Sequence, residues 1–233
     1  MRLPAPHRAN GAGNIAVPFT ESIAAGELAT LTEQGADIFE LRLDLIASAT
    51  PQQAGKIASA FAGFPLIATA RSIAEGGRDC AGQERVGLLA AAAEHAWAID
   101  IELASRDLHE AVAKLAAKHN CDLIVSSHHF DATPDPEKLT QLAQNAFAIG
   151  ADVFKIACQV ASQADVNNLA DLIAAGGKDS QRIAAMGMGD SELARQSRVQ
   201  LAKAGSLFVF ASARNATAAG QPSLQWLARQ LAN

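Results

Sequence analysis

The chain has 233 residues, a formal net charge of −5 and a pI near 5.7, which argues against a broad basic surface for nucleic acid or anionic membranes. Hydrophobic residues make up 49% of the chain and charged residues 18%, enough apolar side chain to bury one sizeable core. The three cysteines lie far apart without CxxC spacing. This pattern predicts neither a disulfide framework nor a zinc site, and it favours a reducing compartment such as the cytoplasm.

The first thirteen residues, MRLPAPHRANGAG, are rich in Pro, Gly and small residues. They lack the apolar segment of a signal peptide, and we interpret residues 1–13 as a flexible N-terminal tail. No run of about 18 apolar residues predicts a membrane span. The remaining residues, 14–233, are predicted to form one domain.

From residue 14 onward, short β-prone runs alternate with longer segments of helical periodicity, in eight pairs. The predicted strands are Asn14–Pro18, Ile38–Leu43, Leu66–Ala70, Ala98–Leu103, Asp122–Ser126, Val153–Ala157, Arg182–Met186 and Leu207–Ala211. The clearest helical segments are Ser22–Gln34, Gln83–Trp97, Asp135–Ile149, Ser191–Ala204 and Ser223–Leu231. This order favours a fold of the α/β class, a single (β/α)8 TIM barrel, with a doubly wound open sheet as the alternative. In such barrels the chemistry lies where strands end and βα loops begin.

The second predicted strand carries charges on one face. In ELRLD, Glu40, Arg42 and Asp44 are spaced by two, so strand alternation places them together, and we expect them to point inward. Burying charges costs several kcal/mol per ion unless they are paired. The segment is therefore either an internal salt-bridge cluster or a polar ligand site.

Further charges follow the third and fourth strands. Arg71 ends the third strand, at the catalytic end of a barrel, and Glu75-Gly76-Gly77 follows it. The alternative for Arg71 is a loop arginine paired with Glu75. The fourth strand carries Asp100 and Glu102, for which we favour a structural role supporting the strand-2 cluster or a nearby lysine.

The fifth strand ends in SSHHF, and one of its two histidines should face the barrel mouth. Histidine titrates near neutral pH and suits proton transfer at such a junction. The sixth strand is VFKIA, with Lys155 in the middle of an apolar run. Burial favours the neutral amine, which is the nucleophilic form. Lys155 is therefore a candidate Schiff-base lysine, and a structural pairing with Glu102 or Glu40 is compatible with that role.

The last two βα segments carry groups that bind anions. Arg198 lies in the helix after the seventh strand, and Gln221 lies in the loop after the eighth. Together with hydroxyl groups they could hold a carboxylate, and phosphate is the other usual ligand there. Neither GxGxxG nor a Walker lysine is present, so we expect no nucleotide site and no cofactor.

Taken together, these segments resemble the type I 3-dehydroquinate dehydratases. ELRLD is similar to the family's E-x-R-x-D strand, RSIAEGG to R-S-x-x-E-G-G, and IDIEL to its fourth strand. SSHHF is similar to S-x-H-x-F, FKIA to the lysine strand, and GDSELARQSR to the helix ending in Ser-Arg. TAAGQPS is similar to the closing [ST]-A-x-G-Q segment. The seven segments occur in order, at strand ends, over nearly the whole barrel.

The resemblance implies dehydration of 3-dehydroquinate to 3-dehydroshikimate, in the shikimate pathway or in quinate breakdown, by a homodimer without cofactor or metal. It makes Lys155 the imine-forming residue and His128 the acid–base residue. It assigns binding of the ring hydroxyls to Glu40, Arg42 and Arg71 with Glu75 near them, binding of the carboxylate to Arg198, Thr217 and Gln221, and the walls of the site to Phe130, Met186, Met188 and Phe210.

The sequence departs from the family pattern at three positions. His129 stands where an acidic or amide residue is expected, Ala219 replaces a proline, and Thr217 replaces a serine but keeps the hydroxyl. We expect His129 to alter the pKa of His128 or to face outward. We expect Ala219 to loosen the final loop.

Two rival enzyme classes remain. The first is another Schiff-base barrel lyase or aldolase, against which Arg198 and Gln221 argue by specifying a carboxylate. The second is a metal-dependent sugar isomerase with carboxylate and histidine ligands. Arg42 and Lys155 argue against it, because both would repel the ion. The candidate ligands of that metal are Glu40, Asp44, Glu102 and His128.

Overall fold

The computed structural model describes residues 1–8, 10–46, 49–214 and 220–232. Eight parallel strands form one sheet in the order β7-β6-β5-β4-β3-β2-β1-β8. Their bounds are β1 Asn14–Phe19, β2 Ile38–Arg42, β3 Leu66–Thr69, β4 Ala98–Glu102, β5 Asp122–His129, β6 Val153–Gln159, β7 Arg182–Met188 and β8 Phe208–Phe210. The amide of Leu207, just before β8, donates to the carbonyl of Ile183 in β7 at 2.8 Å. The sheet is thus a nearly closed barrel, and the open-sheet alternative is wrong.

A helix follows each strand and packs on the outside of the barrel. The helices are α1 Ala25–Glu33, α2 Pro51–Ser59, α3 Gly82–Ala92, α4 His109–His119, α5 Pro136–Ala148, α6 Gln163–Lys178, α7 Glu192–Lys203 and α8 Leu224–Ala232. Five of the helices begin at polar caps, since side chains accept backbone N–H groups of the first turn: Thr50, Asp135, Ser162, Ser191 and Ser223. Such caps satisfy donors that the helix itself leaves unpaired.

The strand ends differ from the sequence prediction. The ladder of β5 and β6 continues through His129 paired with Cys158, and that of β6 and β7 through Gln159 paired with Met188. The predicted ends fell short because residues such as His129, Gln159 and Gly187 are more typical of loops than of strands. The second strand instead ends at Arg42, and Asp44 lies in a 3-10 turn, Leu43–Leu45.

Apolar side chains fill both sides of the sheet, and the inner side changes character along the barrel axis. The inward residues near the N-terminal ends of five strands are apolar: Ile38, Ile67, Ala98, Ile124 and Val153. Two residues further on, the same strands carry buried polar residues: Glu40, Thr69, Asp100, Ser126 and Lys155. Because side chains alternate along a strand, this second set lies above the first. A polar layer therefore rests on an apolar floor.

The N-terminal segment lies against the bottom of the barrel. Leu3 is buried, and its amide donates to Asp122 at 2.8 Å. Arg182 donates to the same carboxylate and to the carbonyl of Leu3, both at 2.8 Å. The interpretation of residues 1–13 as a loose tail did not anticipate these contacts. Within the described residues, no helix has the length and apolar character needed to cross a membrane.

Candidate active site

A cavity of about 450 Å³, its open mouth included, lies at the C-terminal end of the barrel. This is the end where barrel enzymes carry their chemistry. Its walls combine charged groups with apolar ones, as expected of a site for a small polar ligand. The lining residues are Glu40, Arg42, Arg71, His128, Lys155, Ala157, Met186, Met188, Arg198, Phe210 and Gln221.

Lys155 lies at the base of this cavity. Its side chain is 2% exposed, and its Nζ is 2.5 Å from Asp100 Oδ2 and 3.6 Å from Glu40 Oε1. The ring of Phe210 lies 5.2 Å from the amine. The expected pairing with Glu40 is confirmed, whereas the closest acidic partner is Asp100 and not Glu102. The expectation that strand 4 supports the lysine is thereby confirmed for Asp100.

The carboxylate of Asp100 is held in its ionised form. Burial alone would raise its pKa, but Lys155, Arg71 and a hydrogen bond from Ser126 outweigh burial and lower it. Ser126 Oγ donates to Asp100 Oδ1 at 2.6 Å. A fixed negative charge beside an amine suits a site in which a cation must form on that nitrogen.

His128 stands between an arginine and an acid. Its Nε2 contacts Arg71 Nη1, and its Nδ1 lies 2.7 Å from Glu75 Oε2. A guanidinium only donates hydrogen bonds, so Nε2 must accept, and the ring proton therefore belongs on Nδ1. Burial, followed by the charges of Arg71 and Lys155, lowers the pKa of His128 well below its ordinary value. The imidazole is thus neutral, and in the free protein its Nε2 lone pair accepts a hydrogen bond from Arg71 at the cavity.

Glu75 orients this imidazole. The expected alternative, a pairing of Arg71 with Glu75, is wrong: Arg71 contacts His128 and lies 3.5 Å from Asp100, and Glu75 accepts from His128 instead. Burial and then the nearby charge of Glu102 raise the pKa of Glu75 to about 7. The carboxyl therefore changes its charge close to neutral pH.

Two further arginines line the cavity. Arg42 binds Asp44 through two hydrogen bonds of 3.0 and 2.8 Å, so the internal ion-pair interpretation of that segment is confirmed. Arg42 also lines the cavity beside Glu40, and the segment therefore contributes to the pocket as well. Arg198 is 2% exposed, and burial lowers its pKa to about 10. It remains charged at neutral pH and presents a buried cation to the cavity.

The remaining predicted site residues fall in three places. Met186, Met188, Phe210 and Gln221 line the cavity. Phe130 lies at the rim instead, 51% exposed, with its ring 6.5 Å from that of His128. Thr217, like Ala219, lies outside the described residues.

Two findings concern neighbours of the predicted residues. His129 Nε2 lies 3.0 Å from Ser127 Oγ; both residues alternate with His128 along β5 and therefore face away from the cavity. Ala157 also lines the cavity, which the sequence interpretation missed. Its position two residues after Lys155 on the same strand was the available signal.

The metal-site alternative finds no support in the geometry. Within residues 1–8, 10–46, 49–214 and 220–232, no three His, Cys, Asp or Glu side chains converge in a way that could hold an ion. The acidic groups of the cavity are instead engaged with Lys155, Arg42 and Arg71.

Comparison with known proteins agrees with the geometry. The family model of type I 3-dehydroquinase matches residues 15–233. A 3-dehydroquinate dehydratase of Methanosarcina acetivorans is 37% identical over 197 residues, covering 80% of each chain. The crystal structure of the enzyme of that name from Aquifex aeolicus is 28% identical, with a TM-score of 0.77, covering 93% of this chain and 96% of that one. The corresponding structure from Geobacillus kaustophilus has a TM-score of 0.84 at 23% identity, covering 99% and 97%, and shows the shared fold. The chain belongs to the type I 3-dehydroquinase family.

Proposed function

We propose that this protein dehydrates 3-dehydroquinate to 3-dehydroshikimate through an imine on Lys155. One observation carries the proposal: a buried amine and a neutral imidazole line the same cavity as a buried arginine. The amine can condense with a ketone, the imidazole can move a proton, and the arginine can bind a carboxylate. A cyclic hydroxylated keto acid is the substrate class that uses all three.

The first step is imine formation. Lys155 gives one ammonium proton to His128, its amine attacks the C3 ketone, and the imidazolium returns that proton to the carbinolamine hydroxyl, which leaves as water and gives a protonated imine. The new cation replaces the ammonium charge beside Asp100 and Glu40, 2.5 and 3.6 Å from Nζ. Because those carboxylates already balance a cation in the free protein, the intermediate needs no rearrangement of charge.

The second step is elimination. When substrate binds, Arg71 moves its hydrogen bond from Nε2 to a ring hydroxyl, and His128 Nε2 then removes a C2 proton. The electron pair of that C–H bond forms the C2=C3 bond of an enamine, with the imine nitrogen as electron sink. The enamine then expels the C1 hydroxyl, which takes the proton back from the imidazolium and leaves as water. Between these transfers, Glu75 Oε2 accepts a hydrogen bond from Nδ1, 2.7 Å away, and its negative charge stabilises the imidazolium.

The final step is hydrolysis. One water adds to the imine carbon, which frees the amine of Lys155 and releases the product. One water is lost in imine formation and one is consumed here, so the net reaction releases the single water that comes from C1. No redox change occurs, and the chemistry calls on no cofactor.

We propose the following contacts for the substrate. Arg198, Thr217 and Gln221 hold the C1 carboxylate, and Glu40, Arg42 and Arg71 with Glu75 bind the ring hydroxyls. Met186, Met188 and Phe210 form the wall of the ring site, and Phe130 covers it from the rim. The polar contacts gain strength because Glu40, Arg42, Arg71 and Arg198 are buried.

We further propose that the protein acts in the cytoplasm as a homodimer. Three free cysteines, of which Cys121 and Cys158 are buried, support a reducing compartment. The family resemblance supports the dimer. Analytical ultracentrifugation of the purified chain tests the oligomeric state, and a monomer at micromolar concentration would contradict it.

The chemical proposal is tested by trapping the imine. Borohydride added with 3-dehydroquinate is expected to leave a ligand-derived mass increase on the peptide that contains Lys155, and Lys155→Ala should show no increase. A spectrophotometric assay for the conjugated enone of the product should show turnover by the unmodified protein. An adduct on a different lysine, or turnover retained by Lys155→Ala, would refute the assignment.

A further inference from the structure

We propose that Arg85 of α3 is a positioning residue for the proton-transfer machinery and acts through Glu102. The inference rests on the proposed function, because it concerns how the acid–base pair of that reaction is held. Arg85 touches none of the residues that contact the substrate in our proposal except through this carboxylate. Its role is to hold and neutralise Glu102.

Arg85 is buried behind the active site, with its side chain 5% exposed. Its Nε donates to the carbonyl of Ala70 at 2.7 Å, its Nη1 donates to Ser105 Oγ at 3.1 Å, and its Nη2 donates to Glu102 Oε2. The guanidinium thus joins α3 to the end of β3 and to β4. A lysine could keep the charge at this place but could not make three bonds in these directions.

Glu102 connects Arg85 to the residues of the active site. Its Oε1 accepts the backbone N–H of Ser72 at 2.8 Å, and Arg71 Nε lies 3.8 Å from the same oxygen. The carbonyl of Ser72 in turn accepts the N–H of Glu75 at 3.1 Å. Ser72 is therefore the base of the turn that carries Glu75 to His128. Glu102 thus fixes the turn through a hydrogen bond and attracts, over 3.8 Å, the arginine that contacts the imidazole.

The charges of Arg85 and Glu102 also affect the pKa of Glu75. Glu102 is, after burial, the strongest cause that raises the pKa of Glu75, and the adjacent Arg85 cation offsets the negative charge of Glu102. Glu75 must be ionised to accept the Nδ1 proton of His128. Arg85 thus favours the active charge state of Glu75. The charged and titratable groups that face Glu75 from the packed elements are Arg42 of β2, which donates to the adjacent Gly76 carbonyl, Arg71 just after β3, Asp100 and Glu102 of β4, and His128 of β5.

The test uses three variants and the pH profile of kcat/KM. Arg85→Gln should raise the pH midpoint of the acid limb by about one unit, because Glu102 is left without its counter-charge, and Glu102→Gln should lower it by about one unit. Both should reduce kcat about ten- to hundredfold, because Glu75 and Arg71 lose their fixed positions. Arg85→Lys should also reduce kcat, because the three directed hydrogen bonds are lost. Its acid limb should stay close to that of the unmodified protein, because the positive charge is kept.

A purely structural role would lower kcat or the melting temperature, but it would not shift the acid limbs of Arg85→Gln and Glu102→Gln in opposite directions. Limbs that stay in place, or that move together, would therefore overturn the proposal. If Arg85→Gln does not fold, the single variants Glu102→Gln and Arg85→Lys decide the question. Only Glu102→Gln should shift the acid limb.

The same variants also give a readout that does not depend on turnover. For each variant, the free energy of unfolding is measured with and without the additional change Glu75→Gln, and the difference is followed against pH. The midpoint of that difference reports the titration of Glu75. It should rise in Arg85→Gln and fall in Glu102→Gln. Absent turnover in the unmodified protein would count against the proposed function. Unmoved midpoints in this measurement would count against the role of Arg85.

Discussion

Glu75 is placed to help the reaction at a cost to the free protein. Its pKa rises from the ordinary 4.5 to about 7, and this rise corresponds to about 3 kcal/mol. Because the folded-state value lies above the unfolded one, its stabilising contribution is fully present below about pH 4.5 and is lost as the pH rises through about 7. Glu75→Gln removes the charge, and it should therefore stabilise the substrate-free protein at pH 8 relative to the unmodified protein.

The measurement is the difference in unfolding free energy between Glu75→Gln and the unmodified protein, from urea titrations between pH 4.5 and 8.5. The difference should grow with pH and level off above about 7, reaching at most about 3 kcal/mol, which is up to about 10 °C in melting temperature for a chain of this size. Depression of the pKa of His128 acts in the opposite sense below about pH 6.5. Because His128 contacts Glu75 directly, the difference isolates Glu75 above about pH 6.5, where the imidazole is neutral in the folded and the unfolded protein alike.

Glu75→Gln should lower the activity although it raises the stability of the protein. Without a carboxylate at Nδ1 the imidazolium loses its partner, so Glu75→Gln should lower kcat about a hundredfold. For the same reason the unmodified protein should lose activity as the pH falls through about 7, where Glu75 becomes protonated. Glu33→Gln, the same change on the exposed surface of α1, serves as the control and should leave turnover intact. A stability difference that does not vary with pH would refute this account of Glu75.

Three further outcomes are expected. His128→Ala should still form the borohydride-trapped imine but lose turnover, whereas His129→Ala should keep most of its activity; reversed behaviour would show that the wrong histidine was chosen. Arg198→Lys should raise KM about tenfold with a smaller change in kcat, because the planar fork is lost; an unchanged KM would place the carboxylate elsewhere. Arg182→Gln removes the bonds to Asp122 and to the N-terminal segment and should cost about 1 to 2 kcal/mol of stability without changing kcat, as a urea titration and the enone assay would show.

Much of this architecture could be predicted because it depends on alternation along the chain. The period of two in Glu40-Leu41-Arg42 placed its charges on the inner face, and the structure confirms them as buried. Lys155 stood out because an apolar strand offers no solvent to its amine. These inferences need only the geometry of a strand.

What the sequence could not supply were partners across strands. Asp100 and Glu102 differ by two positions on β4, yet one pairs with Lys155 and the other with Arg85. Which acid meets which cation depends on register and on the reach of each side chain across the barrel. Arg85 itself lies in a helical run, where nothing in the local pattern separates it from a surface arginine.

The pairing of β5 with β6 has a consequence for how this protein can change over evolutionary time. Backbone bonds place Ser126 opposite Lys155 and His128 opposite Ala157, so the step between amine and imidazole is a property of the ladder. Along a strand this step is about 7 Å, whichever side chains face the helices. Outward residues of both strands can therefore be substituted without moving the proposed nucleophile relative to the proposed base. A single inserted residue in either strand, by contrast, would turn one of them out of the barrel.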